Sequence, residues 1–153
     1  MTAPDLTRTE IIKLIALATQ PLNLSGVNLQ GLDLSKLNLS KADLTGADLS
    51  GVDFNNTNLT DANLTGANLT GTDLRDTGLR GADLTGADLS GAKLGELNLI
   101  GTNLTGANLT NADLIEANLD YANLTNANLS GADLYGAYLG HANLIGVIGY
   151  NEP

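Results

Sequence analysis

Residues that could carry out catalysis are few in this chain and are not arranged for it. The 153 residues contain no Cys and a single His, His141, so thiol chemistry and disulfide bonds are excluded. A Ser-His-Asp arrangement needs an enclosing pocket, and His141 lies among short repeats without insertions. The Gly residues lack the strand–loop–helix context of a phosphate-binding loop. We therefore expect a protein that is not an enzyme, with no catalytic residues and no cofactor.

The acidic side chains limit the classes of partner. Asp and Glu number 17 against 7 Lys and Arg, which gives a net charge of −10. Binding to phosphates or to anionic lipid needs clustered Lys and Arg. We therefore expect no direct binding to nucleic acid and no association with a membrane. An acidic surface instead suits a basic protein partner, whose identity the sequence does not indicate.

The polar residues are positioned by one five-residue pattern that runs through most of the chain. From Leu24 to Leu144, all 25 positions spaced five apart hold Leu, except Phe54. Two residues before each stands a small or aliphatic residue, most often Ala. The residue just before is Asn or Asp in all but three copies, and Ser or Thr, then Gly, usually follow. The position of a residue within the five-residue unit therefore predicts whether its side chain points into the core or outward.

A period of five suits neither an α-helix nor a flat strand. The same class of residue points inward every fifth position only if the chain turns a corner at that interval. Four sides then close a coil of twenty residues, and successive coils stack as a β-helix. The inward residues form the core, which we expect to include this stack: Leu44, Leu64, Leu84, Leu104, Leu124 and Phe54.

The repeat resembles the pentapeptide repeat family continuously over residues 22–146. Ala42-Asp43-Leu44-Thr45-Gly46 and Ala62-Asn63-Leu64-Thr65-Gly66 are clean copies of the family unit. The resemblance implies an all-β fold, a right-handed quadrilateral β-helix of about six coils and roughly 30 Å in length at ~4.8 Å per coil. The chain is similar to the small cyanobacterial members with an N-terminal helix cap, most of which have no assigned activity.

A single helix is predicted before the repeats. Thr7 and Glu10 have the spacing of a capping box, and Pro21 ends the helix predicted over residues 7–19. Its apolar stripe consists of Ile11, Leu14, Ile15 and Ala18. Because solenoids require terminal caps, we expect this helix to cover the first coil. Three regions follow: a capping helix over 1–21, the β-helix over 22–146 and a tail over 147–153.

The N-terminal segment also carries no targeting signal. The apolar run from Ile11 to Ala18 is too short to span a bilayer. Asp5 and Glu10 precede it where a signal peptide would carry basic residues. We expect a cytoplasmic protein.

Residues twenty apart would stack into columns, and each side of the coil becomes a face. The third face is defined by the inward residues Leu34, Phe54, Leu74, Leu94, Leu114 and Leu134. In the column just before them, Lys93 is predicted to lie between Asp73 and Asp113 and to relieve their repulsion. A second acidic column, Asp76, Glu96 and Glu116, runs straight without a loop to enclose a cation, so we expect no metal site.

Apolar residues accumulate at outward positions near the C-terminal end. Clustered exposed apolar side chains indicate an interface with another protein, and a homodimer through this end is one expectation. Packing of part of the cluster beneath the tail, Val147–Pro153, is an equal alternative. The candidate interface residues are Ile115, Tyr121, Tyr135, Tyr138, Ile145 and Tyr150.

The family resemblance also raises a different function. Some pentapeptide repeat proteins mimic duplex DNA and bind type II topoisomerases such as gyrase. Here a charge of about −9 along roughly 30 Å is half the charge density of a duplex, which carries one charge per ~1.7 Å. The sequence therefore favours a protein-interaction or structural module, with a DNA-mimicking inhibitor as the alternative.

Overall fold

The computed structural model describes residues 3–150. One α-helix, α1 (Arg8–Leu17), precedes a series of single-residue parallel β-bridges. The bridges join residues twenty apart, from Asn23↔Asp43 near the start to Asn128↔Ile148 at the end. The twenty-residue coil expected from the five-residue period is therefore present, with four five-residue segments in each turn of the solenoid.

Each corner is a four-residue turn that begins at the inward Leu. The amide of Val27 donates to the carbonyl of Leu24 at 3.3 Å, and Ala67 donates to Leu64 at 3.0 Å. The third residue of most turns has a positive φ, as in Gly26 at +67°, which is the conformation of a type II turn. Glycine adopts it without a steric penalty, and this explains the Gly two residues after many of the Leu.

The interior consists of stacked Leu and Ala. All six residues of the core stack, including Phe54, are buried. Thr replaces Ala at four buried positions, and the hydroxyls stay inside the solenoid. Thr57 donates to the carbonyl of Leu34 at 2.9 Å and Thr72 to that of Leu69 at 2.6 Å. Because these hydroxyls bond backbone oxygens, the Thr residues do not leave unsatisfied polar groups in the core.

Helix α1 begins with the capping box that the sequence indicated. Thr7 N donates to Glu10 Oε2 at 2.7 Å, and Glu10 N donates to Thr7 Oγ1 at 3.3 Å. The helix ends at Leu17, two residues earlier than expected, because Ala18 is extended. Ile11 is buried and Ile15 half-buried, whereas Leu14 and Ala18 are exposed. The apolar stripe is thus narrower than predicted, since α1 contacts the first coil along one edge.

The segment around α1 also satisfies the open backbone edge of the first coil. Asp5 N donates to the carbonyl of Asn28 at 2.7 Å, and Asn28 N donates to Asp5 Oδ2 at 2.7 Å. Arg8 donates to the carbonyls of Asp33 and Ser35 at 2.6 and 2.8 Å. The inward residues beneath are all buried: Leu24, Leu29, Leu34 and Leu39. The segment around α1 therefore covers part of the N-terminal end, with hydrogen bonds at Asn28, Asp33 and Ser35.

Within residues 3–150, α1 is ten residues long, and no helix reaches the length and apolarity needed to cross a bilayer.

Two variants of α1 test whether the packing of this helix on the first coil stabilises the fold. Ile11 is 0% exposed and Leu17 is 79% exposed on the same helix. Ile11→Ala should lower the free energy of unfolding by about 2–5 kcal/mol, because it leaves a cavity over the first coil. Leu17→Ala should change it by less than about 0.5 kcal/mol. Urea denaturation measures both, and equal small effects would show that α1 does not cover the core.

Candidate interaction surface

The Asn or Asp before each inward Leu fastens the turn that follows it. Its Oδ1 accepts the backbone N–H two residues later, as from Thr45 to Asp43 at 3.0 Å. The hydroxyl after the Leu often donates to the same oxygen, at 2.6 Å for Thr45 Oγ1. Side chains that compete for backbone groups in this way stabilise turns. Many hydroxyls on the walls are therefore already bonded within their own segment.

The first face is defined by the inward residues Leu24, Leu44 and their equivalents every twenty residues, and the second face by Leu29, Leu49 and their equivalents. These two faces avoid stacked like charges. On each face, the residue just before the inward Leu alternates between Asn and Asp from coil to coil as far as Asp88. Each carboxylate in these columns therefore has neutral amides in the coils above and below it. Asn68 Nδ2 donates to Asp48 Oδ1 at 3.1 Å, and Asn108 Nδ2 donates to Asp88 Oδ1 at 3.0 Å. These walls satisfy their own hydrogen bonds and offer little to a partner.

The third face is organised around Asp73. Lys93 is bridged to Asp73 on one side and Asp113 on the other, as the sequence indicated. Arg75 Nη2 lies 2.6 Å from one Asp73 oxygen, and Lys93 Nζ lies 3.3 Å from the same atom. The hydrogen bond from Arg75 holds the pKa of Asp73 well below its usual range, with Lys93 adding to the effect. Asp73 in turn raises the pKa of Arg75.

An open recess of about 560 Å³ lies beside Gly95 on this face. In the same column the neighbouring coils carry Arg75 and Ile115. The residues lining it are Asp53, Asn55, Asp73, Arg75, Asp76, Gly95, Glu96 and Leu97. Among residues 3–150, no group of three or more acidic or histidine side chains is close enough to hold a metal ion.

The last coil lacks the seal that α1 gives to the first. Its inward residues Leu134, Leu139 and Leu144 are half-buried, although the residues at the same position of the repeat, from Leu24 to Leu129, are buried. Val147 and Tyr150 pack against the core, so the start of the tail covers part of this end. Residues 151–153 of the expected tail lie outside the described residues. The coil therefore remains open toward solvent in the described structure.

Four of the candidate interface residues are exposed. Tyr121 is 63%, Tyr135 78%, Tyr138 67% and Ile145 71% exposed. Ile115 and Tyr150 are half-buried, and Tyr150 packs against the core. Tyr150 belongs to the tail itself and packs against the core, whereas Tyr121, Tyr135 and Tyr138 are exposed, and the interface stays a prediction.

Two features of this end were not recognised in the sequence. His141 stacks on Tyr121 with ring centroids 4.5 Å apart, and His141 Nδ1 lies 2.8 Å from Asp120 Oδ1. The stacked pair is separated by twenty residues, so the column rule could have found it. Ile148 is also exposed beside the last coil, at 58%.

Stacked five-residue turns with a polar side chain fastening each corner define a class of solenoid protein. The family model for pentapeptide repeats matches eight copies, over residues 23–61, 57–95, 92–131 and 112–148. The chain belongs to the pentapeptide repeat family. The fold of this family is a right-handed β-helix solenoid. No curated protein matches the chain.

Several solved structures are similar to the chain. HetL, a pentapeptide repeat protein involved in heterocyst differentiation regulation from the cyanobacterium Nostoc sp. strain PCC 7120, is 35% identical over 87% of this chain and 75% of its own, with a TM-score of 0.52. Rfr23 from Cyanothece 51142 is 28% identical over 90% and 94%, with a TM-score of 0.44. QnrB1, a plasmid-mediated fluoroquinolone resistance protein, is 19% identical over 84% and 77%, with a TM-score of 0.30.

The charge pair on the third face can be tested by titration. Because the pKa of Asp73 is depressed in the folded chain, its contribution to stability is present above about pH 3.9 and is lost as the pH falls through the folded pKa. Arg75→Gln should raise the pKa of Asp73 toward its usual value, measured by carboxyl NMR. The pKa of Asp43, lowered by hydrogen bonds from Thr45, should not move. An unchanged Asp73 titration would contradict the role of Arg75.

Proposed function

We propose that this protein is a non-enzymatic interaction module of the cytoplasm that binds a protein partner through its last coil. One observation carries the proposal: the last coil exposes Tyr135, Tyr138 and Ile145, and its Leu134, Leu139 and Leu144 are half-buried, while the equivalent residues from Leu24 to Leu129 are buried. Exposed apolar side chains that accumulate at one end of a soluble protein indicate an interaction site. Aromatic side chains in such patches commonly supply much of the binding energy.

The rest of the surface supports this choice of site. On the first two faces, turn oxygens accept the backbone amides and many of the hydroxyls, so few polar groups there are free to bond a partner. The recess beside Gly95 is open and polar. The similarity to HetL, a protein involved in regulation, is consistent with binding as the role of the solenoid.

The DNA-mimicking alternative has support from the third face, where Asp33 is bridged to Asp53 and Asp73 follows twenty residues later in the sequence. A duplex carries a phosphate every ~3.4 Å on each strand. Carboxylates on this face are about 4.8 Å apart at best, and those on the alternating faces about twice that. Lys93 and Arg75 further neutralise the column. The charge pattern therefore matches a duplex poorly.

A supercoiling assay with gyrase separates the two functions. We expect no inhibition even at high protein concentration, because the carboxylate spacing is too wide and the column is partly neutralised. Inhibition that weakens in Asp53→Asn would instead favour the DNA-mimicking function.

Capture from the native host tests the interaction proposal itself. The tagged protein should retain a partner that is lost from the double variant Tyr138→Ser and Ile145→Ser, because each removes exposed apolar surface from the last coil. Leu17→Ser is the matched control, since Leu17 is equally exposed at the opposite end of the solenoid. If the double variant still captured the partner and the Leu17→Ser control did not, the binding surface would lie elsewhere on the protein.

A further inference from the structure

We propose that the uncovered side of the Tyr121 ring is a stacking site for an arginine side chain of the protein partner. This inference rests on the proposed function, because it names the chemical group with which that partner binds. The site lies on the side wall of the solenoid, at the corner that follows the fourth face. That face is defined by the inward residues Leu39, Leu59 and their equivalents every twenty residues.

Tyr121 lies at a position of the corner that favours glycine. Its φ is +58°, and the same column carries Gly81 and Gly101 in the two preceding coils, each with φ of +67°. A bulky side chain in this conformation is strained, because its Cβ crowds the backbone. Since strain of this kind is found mainly where a side chain has a function, the exposed aromatic ring at this corner favours a binding role.

The ring of Tyr121 is covered on one side only. His141, which belongs to the last coil, stacks on it with ring centroids 4.5 Å apart and an angle of 7° between the planes. His141 is held in turn, because its backbone N and its Nδ1 lie 3.0 and 2.8 Å from Asp120 Oδ1. Tyr121 nevertheless remains 63% exposed. A ring that is already ordered loses little conformational entropy when a ligand binds to it.

Open space lies over the other side of the ring. That side faces the preceding coil, where the column carries Gly101, and a Cβ placed on Gly101 would have no neighbouring atom within 4 Å. One coil further away, Asp61 leans over Gly81, with its Oδ1 2.6 Å from the position that a Cβ of Gly81 would take. The space is therefore bounded by an aromatic ring on one side and by a carboxylate on the other.

A guanidinium suits this space better than other groups. It is planar, stacks on aromatic rings and donates to carboxylates, whereas an ammonium is a compact and strongly hydrated charge. Asp61 makes no ion pair among residues 3–150. Arg80 is next to Gly81 in the sequence, but Asp61 and Asp120 outnumber it around the space. A nucleic acid base also stacks on Tyr, but its phosphates are repelled by a chain with a net charge of −10.

Two glycine substitutions test the site. Gly101→Asn should block the space over Tyr121 without changing the charge. The backbone tolerates Asn there, because Asn56 and Asn126 adopt φ of +57° and +58° at equivalent corners. Gly106→Asn is the matched control, since Gly106 has φ of +65° and equally open space at the corner that follows the first face. Circular dichroism verifies that both variants are folded.

The probe is a capped tripeptide with arginine between two glycines, and the same tripeptide with lysine serves as the comparison at equal charge. Titration into the full chain, labelled at its tyrosine rings, should give a saturable NMR shift of Tyr121. The lysine peptide should bind about fivefold more weakly or worse, because it cannot stack as a plane. Gly101→Asn should weaken binding of the arginine peptide by about tenfold, and Asp61→Asn by about two- to fivefold. Gly106→Asn should leave it unchanged.

Four results would overturn the proposal: no saturable shift of Tyr121, equal binding of the two peptides, undiminished binding in Gly101→Asn, or a shift of Tyr121 by a single-stranded oligonucleotide but not by the arginine peptide. Capture from the native host distinguishes this failure from failure of the proposed function. A partner that is lost from the double variant of Tyr138 and Ile145 but retained by Gly101→Asn would leave the proposed function standing and remove the arginine contact. An arginine-specific shift in a protein that captures no partner would support the site and contradict the proposed function.

Discussion

The backbone hydrogen bonds between neighbouring coils are the interaction on which the rest of this structure depends. In most segments one amide reaches the next coil, as from Leu64 to Asp83 at 2.7 Å, and another reaches the previous coil, as from Asn63 to Ala42 at 2.9 Å. No five-residue segment satisfies these groups alone, so each coil depends on two neighbours. The two end coils are therefore the places where something other than a repeat must complete the fold.

The two ends meet this requirement differently. At the N-terminal end, Ile11 covers the core, while Asp5 and Arg8 bond the open backbone edge. At the other end, Val147 and Tyr150 pack against only part of the coil. An incompletely covered coil is less stable than an internal one, since both its apolar and its polar groups lack partners. The proposed function assigns binding to the last coil because of this same deficiency.

Much of the fold was predictable because each residue of the unit has one physical task. Leu fills the core, Gly adopts the positive φ of the turn, and Asn or Asp accepts the amide two residues later. Lys93 was placed correctly between Asp73 and Asp113, because stacking at twenty residues follows from the period alone. Leu14 was predicted to lie in the apolar stripe that covers the first coil, but it is exposed. Helical periodicity identifies such a stripe but does not indicate how much of it contacts a neighbouring surface.

The sequence by itself determined the repeating coil, the columns of the four faces and the class of protein. Only the tertiary structure decided how far each candidate interface residue is exposed, that Tyr121 stacks on His141, and that the last coil stays open in residues 3–150. The reason is physical. The repeat specifies contacts between one coil and the next, and these are local and identical along the solenoid. Exposure at an end depends on how irregular segments pack there, and no period describes that packing.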